Sequence, residues 1–196
     1  FMFWSITLLV QKISGPAEQL KSGEKIAVLA SGLVGSLAFA FTDSFWFSAV
    51  EAEVYAMASC LMAILFYVGL LWERDMFKPR GNRWLILIAF IIGLSFGVHF
   101  MGLLTIPAIG FLYYFKNVKN ITVKNFIIAN LVVVGILMFI FKLLLPYSLA
   151  FFGEAEVFFV NSLGLHVNSG TIIAALALVA FFFFGLNYTR KQNYIH

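Results

Sequence analysis

The sequence is short of charge. Of its 196 residues only 11% are Asp, Glu, Lys or Arg, while 62% are hydrophobic and 18% aromatic. Soluble domains carry about 25% charged residues. So little charge cannot cover a water-facing surface, which excludes an ordinary cytosolic enzyme and a disordered tail. Cysteine is almost absent too: Cys60 stands alone, which excludes an internal disulfide and any multi-cysteine metal site. No internal repeat, signal peptide, P-loop, GxSxG, HExxH or dinucleotide fingerprint is readable. The chain opens on Phe1-Met2-Phe3-Trp4, inside an apolar run, and is expected to be an internal fragment.

What is there is a series of apolar runs separated by short polar connections, with a mean hydropathy of +0.97. That pattern predicts an all-α, polytopic membrane protein: one transmembrane domain over residues 1–196 with six to seven membrane-embedded helices. The runs cover 1–10, 26–46, 49–72, 84–98, 101–115, 125–147 and 171–188. Residues 148–170 mix Phe151, Phe152, Phe158 and Phe159 with Glu154, Glu156 and Asn161. They read as an amphipathic helix in the outer interface, with Ser169 positioned to cap the span that follows.

Net charge is +4, but it does not point to nucleic acid. All of the 13 basic residues except Lys142 fall in four regions: 12–25, 74–83, 116–124 and 190–191. The alternate connections carry Asp43, Glu51, Glu53, Glu154 and Glu156 and no Lys or Arg. The positive-inside rule assigns the basic regions to the cytoplasm of a multi-pass inner-membrane protein. Lys142 reads as a snorkelling interface residue. Trp72, Trp84, Tyr113, Tyr114 and Tyr188 on the basic side, and Trp46, Tyr55 and Tyr147 on the acidic side, fit two aromatic belts.

Parity then constrains residues 84–115. Both flanks are basic, so the segment crosses an even number of times, with about 16 residues, roughly 24 Å, per crossing. The hydrocarbon core is about 30 Å thick. The hairpin is therefore short, and its tip, Gly97 to Gly102, is expected in a recess beside a wet cavity.

The densest polar cluster runs from Thr42 to Tyr55. Asp43 fits a turn cap. Ser48 and Glu51 have the spacing of a capping box. Glu53 lies roughly 200° from Glu51 around a helix, so the two cannot serve one face, and at least one of them is expected to face a polar cavity because a carboxylate facing lipid is costly. His99, at the hairpin tip, is either an interhelical hydrogen-bonder or a ligand for a phosphate or hydroxyl. No second well-spaced His or Cys supports a metal site, and no cofactor is implied, although a divalent ion stays open. Ser31-x-x-x-Gly35 and Gly93-x-x-x-Gly97 are small-xxx-small patterns that predict close helix packing.

Four stretches, taken together, resemble a known family. They are Phe41-Thr-Asp-Ser-Phe-Trp-Phe-Ser-Ala-Val-Glu-Ala-Glu-Val-Tyr-Ala56, Asn82-Arg-Trp-Leu-Ile-Leu-Ile-Ala89, Gly93-Leu-Ser-Phe-Gly-Val-His99 and Phe158-Phe-Val-Asn-Ser-Leu-Gly164. They occur in the order seen in a bacterial family of membrane glycosyltransferases of the GT-C superfamily, related to transmembrane protein O-mannosyltransferases. The resemblance implies a GT-C-like helical domain that uses a polyprenyl-phosphate sugar donor and an exported protein or glycan acceptor. It implies an acidic general base on the first outer loop. The Trp-Asp-x-Gly-Glu stretch that supplies this base in the family has no counterpart here. The catalytic carboxylate is thus expected upstream of Phe1, and this chain alone is expected to be inactive. What carries over is Glu51, Glu53 and Tyr55 on the second outer connection and His99 at the helix tip. Asp43 and Trp46 join them as candidate substrate-binding residues, Trp46 and Tyr55 as flat faces for sugar stacking. Two other readings remain: a transporter or flippase, which the missing repeat disfavours, and a non-catalytic membrane subunit of a surface-assembly complex.

Overall fold

The structure, a computed structural model, describes residues 1–51 and 53–191. Ala52 of the quoted stretch and His196 lie outside the described residues. Among the described residues there is helix and no strand. The chain forms two compact units, Phe1–Val133 and Val134–His196.

In the first unit α1 spans Met2–Ser14 and α2 Ser22–Ala40. The short α3 is Asp43–Val50 and the long α4 is Tyr55–Asp75. Next come α5, Arg83–Phe96, a 3₁₀ turn at Phe100–Leu104, and α6, Thr105–Asn117. Helix α7, Val123–Phe139, begins in this unit. Helix α4 is the centre: it packs against α1, α3, α5, the 3₁₀ turn and α6. Its Leu61, Leu65, Val68 and Trp72 meet Ile88 and Ile91 of α5 and Ile109 of α6. These α4 positions recur every three or four residues, so a buried stripe runs along the helix, and from Val68 to Glu73 its whole circumference is buried.

Helices α1 and α2 approach closely because Gly32 has no side chain. A Cβ there would collide with Thr7 Oγ1 and stand 3.0 Å from the Phe3 carbonyl. At Gly35 it would lie 2.8 Å from Ile6 Cδ1. The packing stripe on α2 is therefore Gly32 and Gly35; Ser31 is exposed and its Oγ donates to the Ala27 carbonyl. Gly93 has nothing within 4 Å, and Gly97 meets only the Leu94 carbonyl of its own helix end. The Gly93-x-x-x-Gly97 pattern thus makes no helix contact within its unit. Helix α1 ends at Gly15, whose φ of 108° suits only a residue without a Cβ.

In the second unit, α8, Leu145–Val157, packs against α9, Ser169–Lys191. The expected boundary between a span at 125–147 and a separate helix at 148–170 is not a break: the chain stays helical from Val123 to Ser162. Pro146 lacks an N–H and would clash with a carbonyl one turn earlier in a regular helix. A π turn at Ile140–Leu144, closed by the Leu145 N–H on the Ile140 carbonyl, absorbs it. The α9 cap also differs from expectation. Ser169 Oγ donates to the His166 carbonyl. Glu156 of α8 caps α9 instead, accepting from the Asn168 N–H and, at 2.8 and 3.0 Å, from the Thr171 N–H and hydroxyl.

Among the described residues, four helical runs are long and apolar enough to cross a bilayer: Ser22–Ala40, Tyr55–Asp75, Val123–Ser162 and Ser169–Lys191. The protein is an all-α membrane protein.

Candidate functional site

The two polar clusters stand at opposite ends of α4. Its 21 residues span about 30 Å at 1.5 Å per residue, the thickness of a hydrocarbon core. Glu51, Glu53 and Tyr55 are at its start, and Glu73, Arg74 and Asp75 at its end.

At the start, α3 fills residues 43–50, and this changes the local reading. Ser48 lies inside α3 and Glu51 is its C-terminal cap, with extended φ and ψ of −65° and 139°. The capping box is therefore not formed. Neither carboxylate is helical, so the helical-wheel separation of Glu51 and Glu53 does not apply. Nor does Asp43 act as a cap: Thr42 holds the N-cap position, and its hydroxyl donates backward to the Phe39 carbonyl. Asp43 stands instead in the first turn of α3, where the helix dipole favours a negative charge. Asp43, Glu51 and Glu53 are exposed and make no side-chain hydrogen bond or ion pair among the described residues. Trp46, 55% exposed, stacks on Phe41 at 6.0 Å and 15°.

The structure brings Tyr55 and His99 together. Helix α5 ends at Phe96, and the chain turns through Gly97 and Val98 into an extended His99. The backbone N–H of His99 donates to the Ser95 carbonyl at 2.7 Å. Gly102 packs so tightly on Ser95 that a Cβ would strike the Ser95 hydroxyl. Held this way, the His99 ring lies 5.6 Å from the Tyr55 ring at 50°. His99 also caps the 3₁₀ turn, its Nδ1 accepting from the Met101 N–H at 3.2 Å. An Nδ1 that accepts carries no proton, so the neutral ring holds its proton on Nε2. Nε2 has no hydrogen-bond partner among the described residues.

An apolar cavity of about 310 Å³ opens one turn further along α4. Ser59, Met62, Ala63 and Phe66 of α4 line it. With Tyr55 they follow the i, i+4, i+7, i+8 spacing of a single helix face. Leu104 and Thr105, at the end of the 3₁₀ turn that His99 caps, also line it, with Met2 of α1, Phe39 of α2 and Ala108 of α6. The Tyr55–His99 pair thus stands one helical turn from this apolar trough, on the same face of α4. This is an arrangement suited to an amphiphile. Among the described residues no three His, Cys, Asp or Glu side chains gather as a metal site would require.

At the other end, Glu73 is 5% exposed and accepts from Lys12 of α1 at 2.6 Å and Lys116 of α6 at 2.9 Å. Asp75 accepts from Arg74 at 3.0 Å, Lys78 at 2.9 Å and the Trp84 indole at 3.1 Å. Sequence reasoning placed these charges in basic regions but missed both pairings. The only available signal was two carboxylates within otherwise basic surroundings. Two aromatics assigned to the interfacial belt, Trp72 and Tyr114, are 6% and 8% exposed and belong to the packed interior. Tyr113, 52% exposed, stacks on Trp72 at 6.0 Å.

No curated protein and no solved structure matches the chain. A family model does: that of the protein O-mannosyl-transferase TMEM260 N-terminal domain, over residues 1–122. The matched stretch ends one residue before α7 and contains both clusters of α4, the Tyr55–His99 pair and the apolar trough. The chain belongs to the protein O-mannosyl-transferase TMEM260 N-terminal domain family.

Proposed function

We propose that the protein acts in the transfer of a sugar, mannose by family membership, from a polyprenyl-phosphate donor to a hydroxyl of an exported protein or glycan. In that reaction the bond between the sugar C1 and the phosphate oxygen breaks, a bond from C1 to the acceptor oxygen forms, and the acceptor proton passes to a base. Negative charge gathers on the departing lipid phosphate. The observation that supports this reading is the polar pair of Tyr55 and His99 at the head of an apolar trough. A lipid-linked sugar needs both environments side by side.

In this reading the prenyl chain lies along Ser59, Met62 and Phe66. His99 Nε2–H donates to the phosphate as charge develops on it, the kind of preorganised contact that stabilises a transition state. Glu53 and Glu51, within four residues of Tyr55 along the chain, bind sugar or acceptor hydroxyls. Tyr55 and Trp46 offer flat faces to the sugar ring. Asp43 adds negative charge at the same rim. The protein then sits in the inner membrane with its basic connections in the cytoplasm and this rim outside.

The test is mass spectrometry of exported proteins from cells with the gene intact, deleted, or carrying Glu53→Gln. Loss of one glycan on deletion and in the variant supports the assignment. Intact glycans together with a lost solute-uptake phenotype would favour a transporter.

A further inference from the structure

We propose that the basic end of the first unit holds an anionic phospholipid between the last turns of α1 and α4, with its phosphodiester on Lys12 and Arg74. A cavity of about 350 Å³ lies there, within the range of small-molecule sites. Helix α1 contributes Leu8, Gln11 and Lys12, and helix α4 contributes Leu70, Glu73 and Arg74. The two leucines form an apolar wall on the side toward the helix interior. The four polar groups form the rim near the helix ends.

Donor capacity remains on both cations. Lys12 gives one N–H to Glu73 and has two left, on a side chain that is 51% exposed. Arg74 uses Nε and Nη2 on Asp75, leaving Nη1 on a side chain that is 52% exposed. Glu73 does not repel an anion here, because Lys12 and Lys116 both neutralise it. Four cations, Lys12, Arg74, Lys78 and Lys116, face two carboxylates, Glu73 and Asp75. The cluster therefore carries a surplus of two positive charges, and two of its cations, Lys12 and Arg74, line the cavity. A basic pocket between transmembrane helices, with an apolar wall below it, matches an acidic headgroup and the start of its acyl chains. Inorganic phosphate shares the anionic chemistry but would leave Leu8 and Leu70 uncovered. This site does not depend on the sugar-transfer reading, since it lies at the other end of α4.

Native mass spectrometry of the purified chain, titrated with phosphatidylglycerol or with phosphatidylcholine of the same acyl chains, tests it. The expected result is one retained phosphatidylglycerol per protein in preference to phosphatidylcholine. Removing a cation weakens retention roughly fivefold, given about 1 kcal/mol per basic group near an acidic headgroup. Arg74→Gln and Lys12→Gln should each show this loss, and Arg74→Gln serves alone if loss of the Lys12–Glu73 pair impairs folding. Arg80→Gln, outside the cavity lining, should leave retention unchanged. Equal retention of the two lipids, retention unaltered by Arg74→Gln, or an equal loss in Arg80→Gln would overturn the site. So would one-to-one binding of inorganic phosphate that displaces the lipid.

Discussion

Tyr55 opens α4 and His99 caps the 3₁₀ turn after α5, yet their rings stand 5.6 Å apart. The contact joins the end of the polar stretch from Thr42 to Tyr55 to the turn after α5, two features far apart in the chain. The two nitrogens of the imidazole differ: Nδ1 holds the backbone of Met101, and Nε2 has no hydrogen-bond partner among the described residues. His99→Asn keeps a side-chain acceptor for the Met101 N–H and removes the Nε2 donor. Sugar transfer in cells should fall by roughly 10²-fold or more, the scale of losing one transition-state donor, while the melting temperature in detergent changes little. His99→Ala should lose the same activity and also about 1 kcal/mol of stability with the cap. Full transfer in His99→Asn would remove the ring from the reaction.

Glu73 predicts a stability effect. It ties α1 and α6 to the end of α4 through Lys12 and Lys116. Glu73→Gln keeps the shape and removes the charge, leaving two lysines close together. The expected loss is about 1.5–3 kcal/mol, the range for hydrogen bonds to charged groups, read as a lower thermal midpoint in detergent. An unchanged midpoint would mean that the helix ends are held by apolar packing alone.

Glycines on α2 and α5 should behave oppositely. Gly32→Ala drives a methyl into Thr7 and the Phe3 backbone, and overpacking of this kind costs about 1–3 kcal/mol. Gly93→Ala meets open space and gains helix propensity, about 0.8–1.0 kcal/mol at most. Thermal unfolding of the two variants side by side checks the contrast. Destabilisation by Gly93→Ala as large as that by Gly32→Ala would show a packed partner on α5.

Glu156 predicts a local effect. Its carboxylate satisfies the first amides of α9. Glu156→Ala should raise hydrogen exchange at Asn168 and Thr171 without altering exchange along α4. Unchanged protection at those two amides would mean that the cap is not formed in solution.

Much of this architecture is legible from composition and charge. The apolar runs announce membrane helices, and the short 84–115 segment announces a turn near His99. Glu53, Tyr55 and His99 stand out because polar groups are rare in such a chain. The failures come from a competing local helix at one place and from contacts between residues further apart in sequence at the others. The capping box at Ser48 and Glu51 satisfies a local rule, but α3 takes those residues for itself. Ser169 has the right chemistry for a cap, yet Glu156, from the preceding helix, reaches the α9 amides first. Small-xxx-small spacing marks both α2 and α5, and only the α2 face meets a neighbour. Trp72 and Tyr114 have belt chemistry, but packing among α4, α5 and α6 buries them.

Photolabelling tests whether the lipid-linked donor lies beside Tyr55 and His99. A mannosyl polyprenyl phosphate carrying a photoreactive group on its first prenyl unit is added to membranes containing the protein, with and without excess unlabelled donor. Adducts are expected within residues 55–66 and 100–108, and the unlabelled donor should abolish them. Adducts confined to the exposed face of α9, or labelling that the competitor leaves intact, would contradict it.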